Sequence, residues 1–257
     1  MNTRIQLVAF WTLLRRELVR MFRLWQQTFL PPVIMQSLYF VVFGSFIGSQ
    51  IPPIHGLRYM TYIVPGLIMM ALITSSFMNV VFSLFSAKFM RSIEEMLIAP
   101  VENSTILAGY VAGGVARALI TGVLVAVVSI FFAQPPIVHI FAILFFAIVT
   151  SIVFSLGGFL NALFAKSFDD AGLFSTFVLT PLIYLGGVFY SVSTLPAWAH
   201  SATLLNPIFY LVNGFRYGFL GFADVSVYLC LAVLMAFVLV LGGVNWYFIK
   251  TGLGLKQ

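Results

Sequence analysis

The chain has 257 residues, 61% of them hydrophobic and only 8% charged, against about 45–50% apolar in an average soluble domain. Its apolar residues gather in continuous runs longer than about 20, which excludes a soluble globular domain; a membrane barrel needs alternating segments of roughly 10 and is excluded too. A polytopic all-α membrane protein remains, and its net charge of +6 informs through where the basic residues fall, not as a sign of nucleic-acid binding.

From Arg4 to Trp25 the spacing predicts an amphipathic helix (4–25). Leu7, Trp11, Leu14, Leu18, Met21 and Trp25 make one stripe, and Thr12, Arg16, Arg20 and Arg23 the opposite one. Such a helix lies in the membrane interface with its arginines toward anionic headgroups; packing on another subunit is the alternative. The pair Pro31-Pro32 suits the first turn of a helix, so a first span is expected over 31–49, with Gly44 and Gly48 as a small-residue face for close helix approach. Residues 50–58 form a short outside loop. A second span over 59–87 is kinked by Pro65-Gly66 and carries Thr74, Ser75, Asn79 and Ser83 on one polar face.

Residues 88–104 hold Lys88, Arg91, Glu94, Glu95 and Glu102 between two apolar runs, so this segment belongs in water. Ser92-Ile93-Glu94-Glu95 has the spacing of a capping box, and Pro100 stops the helix while disfavouring helical geometry at Ala99. The expectation is a helix of about two turns, with Ile93, Met96 and Leu97 on one face and Glu94 and Glu95 beside it. Held at the membrane surface, it suits the docking of a soluble partner; the alternative is a solvated loop that only reverses the chain.

Ser104 is placed to cap a third span ending near residue 133, smoothed by Gly109, Gly113 and Gly114. Arg117 lies two to three turns into it, where a charge costs about 2.5–3.5 kcal/mol, so it must face protein or water. A gating or substrate contact and a structural pairing are both open. Gln134-Pro135-Pro136 makes an outside turn, a fourth span follows over 137–165, and Lys166-Ser167-Phe168-Asp169-Asp170 is a short inside loop. A fifth span runs from Ala171 to Gly186-Gly187. Residues 188–222 are aromatic-rich and broken by Pro196, Asn206-Pro207, Gly214 and Gly218, which reads as two short helices parted near Asn206. Irregular backbone at membrane depth must be buried in protein or beside water, so a re-entrant outer pair is expected; a long outside loop with interfacial helices is the alternative. A sixth span covers 225–249.

Ten of the 13 basic residues fall in segments placed inside: Arg4, Arg15, Arg16, Arg20, Arg23, Lys88, Arg91, Lys166, Lys250 and Lys256. Only Arg58 falls outside, with Arg117 and Arg216 in or beside the membrane, so both termini are expected in the cytoplasm. The single cysteine, Cys230, excludes an intramolecular disulfide, and no signal-peptide pattern precedes the first apolar run. No lysine follows a glycine, so the Gly-Lys-Ser/Thr phosphate loop is missing and the chain is not expected to split ATP itself. His55, His139 and His200 lack His-Glu-x-x-His spacing, and the adjacent His200-Ser201 lacks a nucleophile turn. No catalytic residue and no metal site is assigned.

Taken together, these residues resemble the ABC-2-type permeases, the membrane subunits of bacterial ATP-driven exporters, and most closely their YadH-like inner-membrane branch. Two motifs carry the resemblance. The first is similar to the family's coupling segment: Ser92, Ile93, Glu94 and Glu95, with Leu97 three residues after Glu94 and Pro100 six after it. The second, more specific, is similar to the C-terminal signature, at Gly186, Gly187, Phe189, Tyr190, Leu195, Pro196, Trp198, Asn206, Pro207 and Arg216. Ser191 departs from it, since many relatives carry proline there. The resemblance covers essentially the whole chain as one transmembrane domain (1–257). It implies a six-span fold of the type V exporter kind and a permease homodimer among membrane lipids, with no nucleic acid. It also implies two cytoplasmic ATPase subunits on the coupling segments, which bind the ATP and magnesium, and outward transport of a drug, lipid or lipid-linked glycan across the inner membrane. The rivals are an ATP-independent secondary transporter, disfavoured because Asp169, Asp170 and Asp224 sit at span ends, and a membrane scaffold or assembly factor.

Overall fold

Continuous apolar runs satisfy their backbone in lipid only as helices, and helices are what they form: the computed structural model has eleven α-helices and no β-strand among its described residues. It describes residues 3–48, 50–192, 195–252 and 254; Ser49, the expected end of the first span, and Lys256, counted above among the basic residues, lie outside them. The helices are α1 (Thr3–Arg23), α2 (Trp25–Tyr39) continued by a π-helical stretch (Phe40–Ile47), α3 (Tyr59–Phe89), α4 (Ser92–Ile98), α5 (Asn103–Ile130), α6 (Ile140–Phe164), α7 (Phe168–Phe174), α8 (Thr180–Tyr184), α9 (Ala197–Leu205), α10 (Pro207–Leu220) and α11 (Val227–Thr251).

Helix α3 is the axis of the bundle, buried along most of its length and packed against α5 and α6. Small residues allow the approach. A β-carbon on Gly158 of α6 would lie 2.5 Å from the Phe77 carbonyl oxygen of α3, and one on Gly114 of α5 would run into Ser155 of α6. Gly109 and Gly113 of α5 seat Leu13 and Glu17 of α1, so the smooth surface expected there receives the N-terminal helix.

Among the described residues, five helices are long and apolar enough to cross a membrane: Trp25–Gly44, Tyr59–Phe89, Asn103–Ile130, Ile140–Phe164 and Val227–Thr251. The fifth expected span, over 171–187, differs. Between Phe168 and Tyr184 the helix is a composite of α7, a π-helical stretch over Ser175–Leu179, and α8. Pro181 has no N–H to donate to the carbonyl four residues earlier, which works against a continuous α ladder here, and 17 residues reach only about 25 Å, less than the roughly 30 Å of a hydrocarbon core. The first span also begins earlier than expected, at Trp25. Pro31 and Pro32 therefore lie in the second turn of α2, beyond the orphan donors of the first.

One end of the bundle gathers the basic segments. There Lys88 Nζ donates to the Ala162 and Leu163 carbonyls at 3.0 and 2.7 Å, a cation closing the C-terminus of α6. Asn103 Nδ2 donates to Ile249 O near the end of α11 at 3.2 Å, and Gln6 of α1 bonds to Pro100 and Glu102. The start of α1 and the end of α11 thus both lie against the segment around residues 100–103. The opposite end joins the loops around residues 50–58, 131–139 and 221–226, where Val138 and His139 donate to Gly218 O.

Candidate functional site

The two motifs read from the sequence lie apart. The first sits at the basic end on α4. Its expected capping box does not form: the residue before the helix is Arg91 in a left-handed conformation (φ 59°), and Ser92 Oγ donates back to Ala87 O at 3.3 Å. The reversal from α3 into α4 is tight, ending α3 two residues earlier, and this carries the Ser92 hydroxyl toward α3 and away from the α4 donors. A serine cap forms instead at the start of α7. Ser167 Oγ accepts from Asp170 N at 3.0 Å, while Asp170 Oδ2 accepts from Lys166 N at 3.3 Å. Ser104 caps nothing either, since α5 starts at Asn103 and Ser104 Oγ donates to Glu102.

The apolar stripe of α4 faces inward. Ile93 is buried, while Met96 and Leu97 pack partly against the core, so this stripe fixes the helix to the bundle. The opposite face of α4 carries the exposed Glu94, Glu95 and Ile98, the last 86% exposed, and Met90, 77% exposed, ends α3 just before the turn into α4.

The N-terminal helix is anchored next to this face by an acid that pattern reading passed over. Glu17 is 1% exposed. Its Oε1 accepts from Ser83 Oγ at 2.5 Å, and its Oε2 from Arg20 Nη2 at 2.6 Å and Asn79 Nδ2 at 3.4 Å. Arg20 also donates to Asn79 Oδ1, and Arg16 donates to the Tyr110 hydroxyl at 2.9 Å. Burial disfavours the Arg16 cation, yet Tyr110 and Glu17 outweigh this and hold its guanidinium above the ordinary range. The expectation that Arg16 and Arg20 point to headgroups is corrected: both turn to protein, while Leu7, Trp11 and Trp25 are exposed. The signal was present, because Glu17 is the only acid before Glu94 and stands among five arginines.

The second motif is a buried knot. Gly187 adopts φ +73°, which favours glycine, and turns the chain after α8. Gly66 lets the Val188 backbone pass close to α3. Arg216 is fully buried, donates from Nη2 to Gly187 O at 2.6 Å, stacks 4.1 Å from the Tyr62 ring and lies 3.9 Å from Asp224 Oδ2. Asp224, unassigned from sequence, also accepts from Ser191 Oγ at 3.1 Å and Val192 N at 3.4 Å. The departure at Ser191 therefore supplies a hydroxyl that proline lacks. Asn206 accepts from Ile208 N at 3.0 Å to cap α10, and donates to Leu182 O at 2.6 Å. Phe189 stacks on Tyr184, and Tyr190 donates to Leu185 O; Trp198, Leu195 and Pro196 line a shallow apolar depression with Tyr190 and Asn206.

The helix pair parted at Asn206 stands as expected, with α10 packed against α3, α6 and α11. Asn206→Ala removes the cap and leaves the Leu182 carbonyl without its donor, which together cost about 1–3 kcal/mol. We expect a lower melting temperature in detergent, with Asn206→Asp, which keeps the accepting oxygen, falling between mutant and parent. Equal melting of all three proteins would remove this role.

Gly44 and Gly48, read as a face for close helix approach, and the signature pair Gly186-Gly187 all meet side chains of their own chain. Gly44 abuts Met60, Gly48 abuts Tyr59, Gly186 abuts Ile208 and Gly187 abuts Phe209. Arg117 donates from Nη2 to Thr28 O at 3.3 Å, the carbonyl orphaned because Pro32 has no N–H. This contact is the structural alternative left open by the sequence.

Comparison with known proteins gives a concordant answer. The family model of the ABC-2 type transporter matches residues 8–220. Over 251 residues the chain is 50% identical to "Inner membrane transport permease YadH" of Escherichia coli strain K12, covering 97% of this chain and 98% of that one, and it matches the Shigella flexneri protein of the same name equally. Over 207 residues it is 23% identical to nodulation protein J of Rhizobium leguminosarum bv. viciae, covering 79% of each.

Proposed function

The chain belongs to the ABC-2 type transporter family, and from that premise we propose that this inner-membrane transport permease works as the membrane half of an ATP-driven exporter. ATP and magnesium are bound by a cytoplasmic ATPase subunit, two copies of which serve two permease chains. The transported compound is hydrophobic or amphipathic: a drug, a lipid or a lipid-linked glycan. The basic end of the bundle lies in the cytoplasm, and the α9–α10 pair re-enters from outside.

The observation that carries the reading is the outer face of α4. Two acids beside the exposed Ile98, on a helix whose other face is locked into the bundle, can receive a push and pass it on. A ligand shifts a conformational equilibrium only through differential affinity, so ATP bound elsewhere must act through such a contact. Ile93, Met96 and Leu97 connect α4 to the core, and Met96 meets Arg16 at 3.9 Å, so movement of α4 is felt by α1 as well. The glycine pairs abut their own chain, so they do not mark where the two chains meet. The exposed apolar side chains of α2 and of the α7–α8 composite remain for that contact or for lipid.

The test is a cysteine at position 98 in a complex purified with its ATPase. It is expected to cross-link to the ATPase in good yield, while a cysteine at buried position 93 does not. A position-98 cysteine that reacts with soluble maleimide but never links to the retained ATPase would place the docking contact elsewhere.

A further inference from the structure

We propose that the chain holds the phosphate-bearing headgroup of an anionic lipid between the α1–α2 elbow, α3 and α5, with Arg117 as its principal contact. Two adjoining cavities, of about 320 and 210 Å³, meet at Gln27 and Arg117. A water claims about 30 Å³ of liquid, so the pair has room for a headgroup. Arg20 faces the smaller lobe, and Gln36, Thr74 and Ser75 the larger.

The charge is uncompensated where it matters. Arg20 is paired with Glu17, but no carboxylate lies within 4 Å of Arg117 among the described residues, and its Nε is buried without a partner. Gln36 is only 4% exposed, and its Oε1 also lacks a partner while its side chain lines the cavity. A guanidinium presents several donors in a planar fork suited to phosphate, and only one of those on Arg117 is used, on Thr28 O. Gln36 lies where a headgroup hydroxyl would meet its free oxygen.

The surroundings select a lipid over a dissolved anion. The larger lobe is walled by Pro31, Pro32 and Met35 of α2 and by Met70 and Met78 of α3, and Met35 is 50% exposed, so the site continues into apolar surface on which acyl chains can lie. A free phosphate would use none of it. The site is independent of the ATPase contact on α4, so it stands or falls apart from the transport reading.

The experiment is native mass spectrometry of the full-length protein in detergent, titrated with dioleoyl phosphatidylglycerol, with dioleoyl phosphatidylcholine as the zwitterionic control. The unmodified protein is expected to retain phosphatidylglycerol in preference. Arg117→Gln, which keeps a donor for Thr28 O, should weaken that binding roughly tenfold or more, the effect of losing one charge-assisted contact. Gln36→Leu should weaken it several-fold while leaving the Arg117–Thr28 bond intact, and it decides the matter if the arginine variant does not fold. Parent-like phosphatidylglycerol binding by both variants overturns the proposal. So does displacement of the lipid by inorganic phosphate alone, which would make the site one for a dissolved anion.

Discussion

Glu17→Leu is expected to release α1 from the bundle while leaving α3, α5 and α6 assembled. The carboxylate joins α1 to Ser83 and Asn79 of α3 and neutralises Arg20, with the aliphatic part of the side chain seated against Gly113. Removing one partner of a buried charged pair costs about 3–5 kcal/mol because the other charge is left uncompensated. Arg20 and Arg16 retain 34% and 42% side-chain exposure and can turn toward water, so we expect the lower part of that range or somewhat less, about 2–3 kcal/mol. The loss falls on one helix. Hydrogen–deuterium exchange should therefore rise by one to two orders of magnitude over residues 3–23 and stay unchanged over 59–89. Unaltered exchange in α1 would mean that apolar packing alone holds it.

Glu94→Ala combined with Glu95→Ala is expected to uncouple ATP hydrolysis from transport without unfolding the protein. Both acids are exposed, and neither carboxylate has a hydrogen-bond partner among the described residues, so little of the fold depends on them. Their stabilising effect at the first turn of α4 is the ordinary attraction of an acid to a helix N-terminus, about 0.3–1 kcal/mol each. At a docked interface the arithmetic changes. Exposed ion pairs contribute about 0–1 kcal/mol, whereas truncating one side of a charge contact that excludes water costs roughly 2–5 kcal/mol. The neighbouring Met90 and Ile98 supply apolar surface able to exclude that water. Membrane insertion should be normal, retention of the ATPase weaker by at least tenfold, and substrate-stimulated hydrolysis lost. Full ATPase retention with parent-like stimulation in the double variant would reduce these acids to ordinary solvated charges.

The class of the protein, its apolar spans, the short helix over 92–98 and the break at Asn206 were legible in the amino-acid order. Each rests on local causes: the length of an apolar run, a proline that cannot donate, a stretch of charge that cannot enter lipid. Even the resemblance to a transporter family rested on residues close together in the chain.

Tertiary structure decided where the polar side chains go. The serine cap stands at Ser167 and not at Ser92, because the left-handed turn at Arg91 points the Ser92 hydroxyl back toward α3. On α1 the spacing separates an apolar stripe from a basic one and places both at the membrane interface, but it does not say which polar side chains turn inward. In a membrane protein the outer surroundings are apolar too, so Leu7 and Trp11 stay outside while Glu17, Arg16 and Arg20 find partners within. Arg117 serves a carbonyl 89 positions away, and Arg216 one 29 positions away. Such pairings arise from the burial of several helices together, since a buried cation must find oxygen wherever the packing brings it, and no spacing along the chain encodes that meeting.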